Sequence, residues 1–307
     1  LYVVCKDVEF SVSDIGIIKN LLSQKIIIFK SHKDKFINDS DLLKLGFQKE
    51  FENKDLILLK EAAYECGKIA KTFFRKNPER WEKKDKSGPV TEADIAINNM
   101  LQTELINNRP DFGWLSEETE DSPERLSHLN TFIIDPIDGT RSFISGDSMF
   151  SHSLAISRNG EIVAAVVYLP ILDLMYTAAE LCPSKLNGNL IKPSNTNTMD
   201  NSLILTTSKN ISALNWKSEA PNVNIEYRSS LAYRLCLVAD GQFDAVLTMR
   251  KCWEWDIAAG DLIIRKAGGQ STNKFGHPLR FNKANSFTEG CVGAGIKLHK
   301  VICSKIV

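Results

Sequence analysis

The sequence lacks the patterns that mark several common classes of protein. Its 38 basic and 38 acidic residues give a formal net charge of zero, so no overall charge draws the chain to nucleic acid or to an anionic membrane surface. The seven cysteines form no Cys-x-x-Cys pair, and the five histidines have no ligand-like spacing, which argues against zinc and dithiol chemistry. We therefore expect reduced, mostly buried thiols in a cytoplasmic protein.

A long apolar run without charges is also missing. The apolar stretch at residues 15–29 contains Lys19, Gln24 and Lys25, and it is too short and too charged to span a bilayer. It is not followed by the small-residue cleavage site of a signal peptide. We expect neither a membrane span nor a signal peptide, and we treat residues 1–50 as an N-terminal extension of unknown role.

Residues 51–194 are predicted to form an α+β half. Apolar side chains at helical spacing predict helices over residues 55–76 and 91–108. An Asn-Gly pair at residues 159–160 lies between two apolar runs, which is the strongest short signal for a β-hairpin. We expect a meander of antiparallel strands in this half, with helices packed on one side of the sheet.

Three local signals add detail to this half. Asp55 is a plausible N-cap for the first helix. Thr91 and Asp94 resemble a capping box, although aspartate stands where glutamate or glutamine is usual. The lysine-rich residues 81–88 predict an exposed loop.

Residues 195–307 follow a different rhythm. Short strand candidates alternate with helix candidates, most clearly at residues 231–239 and 256–267. Such alternation indicates a mixed or parallel sheet covered by helices. We interpret this stretch as an α/β half, joined to the first half by the polar residues 194–201.

Two aspartates follow the buried-strand candidate at residues 132–134. Placing Asp135 and Asp138 side by side in the interior is costly, because like charges repel each other and lose their hydration. A bound cation removes that cost. The segment therefore predicts a metal site at the end of a strand.

Two further acidic positions have a similar setting. Glu117 and Glu118 follow a second strand candidate, and Asp256 begins a helix candidate. Taken singly, a pair of glutamates is usually a solvated loop, and an aspartate at a helix start is usually an N-cap. The combination with Asp135 and Asp138 favours a carboxylate site for a hard cation, Mg²⁺ or Mn²⁺.

These segments resemble the inositol monophosphatase family of magnesium-dependent, lithium-sensitive phosphatases. The resemblance covers about residues 55–300, and it implies an α+β fold layered as an α-β-α-β-α sandwich, with the active site between the two halves. The matching motifs, in the order of the family, are residues 88–94, 116–119, 134–140 and 255–259.

The resemblance also implies a role for each matching residue. The implied chemistry uses two or three Mg²⁺ ions, one activating a water molecule and another stabilising the leaving oxygen. The implied metal ligands are Glu117, Asp135, the Ile137 carbonyl, Asp138 and Asp256. The implied catalytic residues are Glu117, Asp138 and Thr140, and the implied substrate contacts are Ile137, Asp138, Gly139, Thr140 and Asp256. Within these sets, Glu117 and Thr140 hold the attacking water, and the backbone N–H groups of Gly139 and Thr140 receive phosphate oxygens at a helix start.

The sequence departs from the family pattern at positions that concern water activation and the substrate. Gly88 stands where many members have an aspartate that pairs with the threonine matching Thr140. Met249 stands where inositol phosphatases usually have a glutamate that meets a substrate hydroxyl. Arg250 and Lys251 are either solvated surface charges or contacts for a second phosphate.

The implied substrate is a small phosphorylated metabolite, and inositol monophosphate is our first choice. A 3′(2′),5′-bisphosphate nucleotidase and a histidinol-phosphate phosphatase are alternatives on the same scaffold. A non-catalytic regulatory scaffold is the alternative from another class. We expect no nucleic-acid or membrane partner, and the resemblance implies a homodimer.

Overall fold

A computed structural model describes residues 53–83 and 88–307, together with two short strands, Val3–Cys5 (β1) and Ile27–Phe29 (β2), which pair in parallel. The chain divides into two compact units, residues 1–51 and 52–307. Our expectations for residues 1–50 therefore lie outside the described residues, apart from the backbone of these two strands. All that follows concerns the larger unit.

The described part of the larger unit alternates helices with two runs of strands. The helices are Lys54–Phe73 (α1), Glu92–Asn108 (α2), Thr140–Ser145 (α3), Leu231–Ala239 (α4), Glu254–Lys266 (α5) and Ile296–Lys305 (α6). The first strands are Arg80–Glu82 (β3), Pro89–Thr91 (β4), Gly113–Ser116 (β5), Asn130–Asp138 (β6), Ser151–Arg158 (β7), Glu161–Leu169 (β8), Leu174–Ala179 (β9), Cys182–Leu186 (β10) and Asn189–Leu190 (β11). The later strands are Leu203–Leu205 (β12), Asn224–Glu226 (β13), Ala245–Trp253 (β14), Gly269–Thr272 (β15) and Phe287–Gly295 (β16).

The first large sheet has seven strands in the order β11-β10-β9-β8-β7-β6-β5. Its neighbours are antiparallel except β5 and β6, which run in parallel. Asn159 and Gly160 join β7 to β8, and both have positive φ, at 51° and 81°. A tight turn with two left-handed residues matches the twist of a hairpin, so the predicted hairpin is confirmed.

The second sheet has five strands in the order β13-β12-β14-β16-β15. Strand β12 is parallel to both of its neighbours, whereas β16 is antiparallel to β14 and to β15. The alternation after residue 195 thus produces the mixed sheet that was predicted.

Helices cover both faces of the seven-stranded sheet, which corrects the expectation that they pack on one side. Ile134 belongs to an apolar cluster with α1 and α2, whereas its neighbour Ile133 belongs to a cluster with α4 and α5. Consecutive apolar residues in one strand indicate burial on both faces. A third cluster joins the far face of the five-stranded sheet to α6 through Leu298 and Ile302. The resulting order of layers is α-β-α-β-α, as the family resemblance implied.

Several local predictions can be compared with the structure directly. The cap of α1 is Asn53 rather than Asp55, because the Asn53 Oδ1 accepts the backbone N–H of Asp55 at 2.9 Å. The capping box of Thr91 and Asp94 is present at the start of α2. The exposed loop predicted from residue 81 is wrong at its beginning, since β3 and β4 pair there as a hairpin.

A search of the described residues for membrane spans found no helix with the length and apolar character needed to cross a bilayer.

Candidate metal centre

Three of the predicted carboxylates come together from distant parts of the sequence. Glu117 follows β5, Asp135 lies in β6 and Asp256 lies in the first turn of α5. One oxygen from each lies within 4.8 Å of the other two. Asp256 is not the N-cap of its helix, because α5 begins two residues earlier, at Glu254. Its carboxylate therefore does not serve as that cap.

Asp135 is the most buried member of this group, with 1% of its surface exposed. Burial raises its pKa well above the usual range, and the charges of Glu117, Asp138 and Asp256 raise it further. Its Oδ1 atom is buried and has no hydrogen-bond partner among the described residues. A buried acceptor without a donor, in a group of like charges, is what a divalent cation with oxygen ligands would satisfy. The residues present therefore fit a hard metal ion.

Strand β6 extends through both aspartates instead of ending before them. Asp135 pairs with Ser153 and Asp138 pairs with Ser151 of β7, with an irregularity in the register between the two pairs. Such an irregularity bends a strand and redirects its side chains. The sequence had indicated a strand end at this point. The structure instead has a register irregularity, and the two carboxylates on either side of it have different surroundings.

Asp138 is held by the start of α4 rather than lying in the group of three. Its Oδ2 accepts hydrogen bonds from the Ser230 hydroxyl and from the Ala232 backbone N–H, both at 2.7 Å. Burial raises the pKa of Asp138 to about 6, although these hydrogen bonds oppose the rise. Asp138 therefore ties the first half of the unit to a helix of the second half.

Thr140, which the resemblance predicts to orient water, has an acidic neighbour other than the one in the family pattern. Its hydroxyl lies 3.3 Å from the Asp94 Oδ1 and 3.1 Å from the Ile137 carbonyl oxygen. Gly88, where many family members have the aspartate, supplies no side chain. Asp94 thus has two sets of contacts, as the N3 partner of Thr91 in the capping box of α2 and as the acidic neighbour of Thr140. Burial raises its pKa to about 6.

Gly139 precedes the short helix α3 with a left-handed backbone, at φ 97°. A Cβ atom there would lie 3.4 Å from the Ser230 backbone nitrogen and 3.5 Å from the Met149 carbonyl oxygen. Both the backbone conformation and the close packing favour glycine.

Two arginines lie beside the carboxylates. Arg234 on α4 is 4% exposed, and its Nε makes a long hydrogen bond of 3.4 Å to the Ser230 carbonyl oxygen. Arg250 on β14 is exposed. Burial raises the pKa of Asp256 well above its usual range, aided by Asp138 and Glu117, whereas both guanidiniums oppose that rise. Neither arginine forms an ion pair with a carboxylate of the described residues.

Lys83, at the end of β3, carries the remaining nearby charge. Its Nζ lies 2.6 Å from the Glu117 Oε1 and 2.8 Å from the Glu118 Oε1. Burial lowers the pKa of the ammonium group, but the charges of the two glutamates outweigh this effect and raise it overall. Glu118 is itself partly buried, and burial together with Glu117 raises its pKa to about 7.

The three carboxylates that the structure groups are among the metal ligands predicted from the sequence. Lys83, Ser230 and Arg234 also lie beside these groups, and no sequence pattern singled them out. The only available signal for Ser230 was its position before the apolar run of α4, where serine is a common N-cap.

Comparisons with known proteins agree with this geometry. A model of the inositol monophosphatase family matches residues 52–306. The chain is 32% identical to an inositol-1-monophosphatase of Rhizobium meliloti over 230 residues, which cover 72% of the chain and 86% of that relative. It is 29% identical to a 3′(2′),5′-bisphosphate nucleotidase CysQ of Aggregatibacter actinomycetemcomitans over 236 residues, covering 74% and 87%.

Solved structures show the same architecture. An IMPase of Thermotoga maritima superposes with a TM-score of 0.69 at 26% identity, covering 82% of this chain and 96% of that one. The extragenic suppressor protein suhB of Bartonella henselae gives a TM-score of 0.68 at 24% identity, covering 82% and 98%. The second likeness shows the fold alone.

Proposed function

Because the chain belongs to the inositol monophosphatase family, we propose that it is a Mg²⁺-dependent phosphomonoesterase acting on a small phosphorylated metabolite. One observation carries this proposal: Glu117, Asp135 and Asp256 crowd their oxygens within 4.8 Å, and a buried oxygen of Asp135 has no donor. A set of hard oxygen ligands suits Mg²⁺ and also accepts Mn²⁺. Two or three ions are the number that the family resemblance implies.

The proposed roles of the residues follow from their positions. Glu117, Asp135 and Asp256 would hold metal ions directly, together with Asp138 and the Ile137 carbonyl oxygen. When bound, such ions lower the pKa of a water molecule and neutralise charge on the phosphoryl oxygens.

The protein's own groups would position the reactants. Glu117 and Thr140 would orient the attacking water. The backbone N–H groups of Gly139 and Thr140 would receive phosphate oxygens, since glycine allows the backbone to approach closely. Phosphoryl transfer requires mainly positioning and charge neutralisation of this kind.

Inositol monophosphate is the first substrate that we propose. Its support is the relative of that activity from Rhizobium meliloti. Against it stands Met249, which offers no carboxylate for a substrate hydroxyl.

A 3′(2′),5′-bisphosphate is the second candidate, and a specific observation favours it. Arg234 and Arg250 both act electrostatically on Asp256, and Arg250 acts on Arg234, yet neither guanidinium forms a direct ion pair with a carboxylate of the described residues. Two neighbouring guanidiniums without a direct ion pair would suit a second phosphate on the substrate. A relative named as a nucleotidase adds support.

We also propose that the protein acts in the cytoplasm as a homodimer, with no nucleic-acid or membrane partner. Cys66, Cys236, Cys252, Cys291 and Cys303 are free thiols, which suits a reducing compartment. The zero net charge gives no attraction to a polyanion. The dimer rests on the resemblance to the family.

A substrate panel at fixed Mg²⁺ concentration tests these proposals. Phosphate release would be measured from inositol 1-phosphate, 3′-phosphoadenosine 5′-phosphate and histidinol phosphate, with and without EDTA. We expect release that EDTA abolishes and Mg²⁺ restores. If no phosphomonoester is hydrolysed under any metal condition, the enzymatic proposal fails and the non-catalytic scaffold is favoured.

A further inference from the structure

A buried arginine outside the group of Glu117, Asp135 and Asp256 links the two halves of the larger unit. Arg125 lies in the 3₁₀ turn Pro123–Ser127 and is 2% exposed. Its guanidinium donates two hydrogen bonds to the Asp121 carboxylate, at 2.5 and 2.8 Å. It also donates to the Asn282 Oδ1 at 2.7 Å and to the Lys283 carbonyl oxygen at 2.9 Å. A single side chain of the first half thus fixes a turn of the second half.

The same turn is held from its other side by Glu254. This glutamate is fully buried, and it accepts the backbone N–H of Asn282 at 2.6 Å and that of Lys283 at 3.3 Å. The Lys283 Nζ lies 3.6 Å from the same carboxylate. Residues 282–283 are therefore clamped between a guanidinium and a carboxylate, with the backbone bonded to both.

Each end of this network lies close in sequence to a proposed metal ligand. Asp121 lies four residues after Glu117, on the loop that follows β5. Glu254 is the first residue of α5, and Asp256 lies in the same helical turn. The path from one ligand segment to the other consists of partly buried hydrogen bonds that involve charged groups, which are the stronger class of such bonds.

We propose that Arg125, Asn282 and Glu254 form a clamp that sets the separation between Glu117 and Asp256, and thereby the metal affinity of the site. This inference rests on the proposed metal-dependent function. The three are positioning residues, since none of them belongs to the carboxylate group itself. Residues that orient metal ligands typically change affinity by about 10–100-fold when they are replaced.

The backbone next to the clamp residues favours glycine at residue 113 and asparagine at residue 282. A Cβ atom on Gly113 would lie 3.1 Å from both the Cα and the Cβ of Arg125, so a larger residue there would push the turn away. Asn282 has a left-handed backbone at φ 53°, a conformation that asparagine tolerates better than most residues.

A nearby exposed contact provides a matched control. Arg280, two residues before Asn282, pairs with Glu161 of the first half at 2.7 Å, and their side chains are 59% and 64% exposed. This pair also crosses between the two halves, but it is solvated. Exposed pairs of this kind contribute little to stability. A variant without this pair therefore shows what the loss of an ordinary surface contact between the halves does to metal binding.

The test compares Arg125→Lys, Asn282→Gly and Arg280→Ala in the 307-residue chain. Lysine keeps the charge and loses the forked geometry, whereas glycine keeps the left-handed backbone and loses only the amide. Mn²⁺ binding would be measured from the EPR signal of the free ion. Two further measurements are the Mg²⁺ concentration that gives half-maximal phosphate release and the melting temperature in EDTA. We expect Arg125→Lys and Asn282→Gly to weaken Mn²⁺ binding at least about tenfold. The maximal rate should be recovered at high Mg²⁺, and Arg280→Ala should match the wild type.

Two other outcomes would overturn the inference in distinguishable ways. If both clamp variants melt at lower temperature but bind Mn²⁺ with wild-type affinity, the network only supports the fold. If the wild-type protein itself binds no Mn²⁺, the proposed function fails and the inference fails with it. Should Arg125→Lys not fold, Asn282→Gly and Glu254→Gln carry the same comparison.

Discussion

Two charged regions meet at the proposed active site, and they are built in opposite ways. Glu117, Asp135 and Asp256 come from separate elements and crowd within 4.8 Å. Like charges at this distance repel one another, and a bound cation would relieve that repulsion. Arg234 and Arg250 lie near them, one buried and one exposed, without ion pairs to carboxylates of the described residues. The comparison indicates that the carboxylates are crowded against one another, whereas neither guanidinium has a carboxylate partner within ion-pair distance.

The largest effect is expected when one member of the carboxylate group is neutralised. Asp135→Asn keeps the shape of the side chain and removes its charge, and its buried Oδ1 has no hydrogen bond to lose within the described structure. Replacing a residue that merely supports a ligand already costs about 10–100-fold, so we expect phosphate release to fall by more than about 100-fold. In EDTA the variant should melt above the wild type, by about 2–4 °C for each kcal/mol gained.

Asp173→Asn is the matched control for this prediction. Asp173 has a left-handed backbone at φ 52°, which asparagine adopts readily, it accepts a hydrogen bond from Tyr168, and it is not a member of the carboxylate group. The control should keep its activity. An Asp135→Asn enzyme that retains Mg²⁺-dependent turnover would show that Asp135 is not a required ligand.

The same contrast determines what the sequence could predict. Helix α4 was predicted at its observed bounds, residues 231–239, because its apolar pattern is local. The two aspartates of β6 were found because charges directly after a buried strand are unusual. The length of β6 was not predicted, since its last residues are in the strand only through pairing with Ser151 and Ser153 of β7.

Contacts between distant residues explain the remaining omissions. Arg125 meets Asn282 across 157 positions, and Lys83 meets Glu117 across 34. No periodicity or spacing connects such residues, so each appeared in the sequence as an ordinary surface charge. Burial of Arg125 and Arg234 becomes evident only when the two halves pack together.

The arginine pair should govern preference among substrates rather than the reaction itself. A hydrogen bond to a charged group contributes about 1.5–3 kcal/mol, or about 10–100-fold. We expect Arg250→Ala to lower kcat/KM for 3′-phosphoadenosine 5′-phosphate by a factor in that range, with a smaller change for inositol 1-phosphate. Measuring both constants with the same enzyme preparation gives the ratio directly.

Arg228→Ala is the control for the arginine prediction. Arg228 is another arginine, shortly before α4, but its guanidinium is already paired with the Glu226 carboxylate at 2.7 Å. Its removal should leave the ratio of the two constants unchanged. If Arg250→Ala also leaves that ratio unchanged, the pair does not read a second phosphate, and inositol monophosphate becomes the better-supported substrate.

The smallest expected effect concerns Lys83, a cation like the two arginines, but one that pairs directly with carboxylates. Its ammonium group contacts Glu117 and Glu118 in the position where a metal ion would also be attracted. A tethered cation of this kind competes with a soluble one, so Lys83→Gln should strengthen metal binding. Pairs that are partly solvated contribute about 0.2–1 kcal/mol, which corresponds to about a 1.5- to 5-fold lower Mg²⁺ concentration for half-maximal activity. Lys68→Gln, which removes an exposed partner of Glu65 on α1, should leave that concentration unchanged. A rise in the Mg²⁺ requirement of Lys83→Gln would instead show that the lysine helps to organise the carboxylates, which would make it part of the site and not a competitor for it.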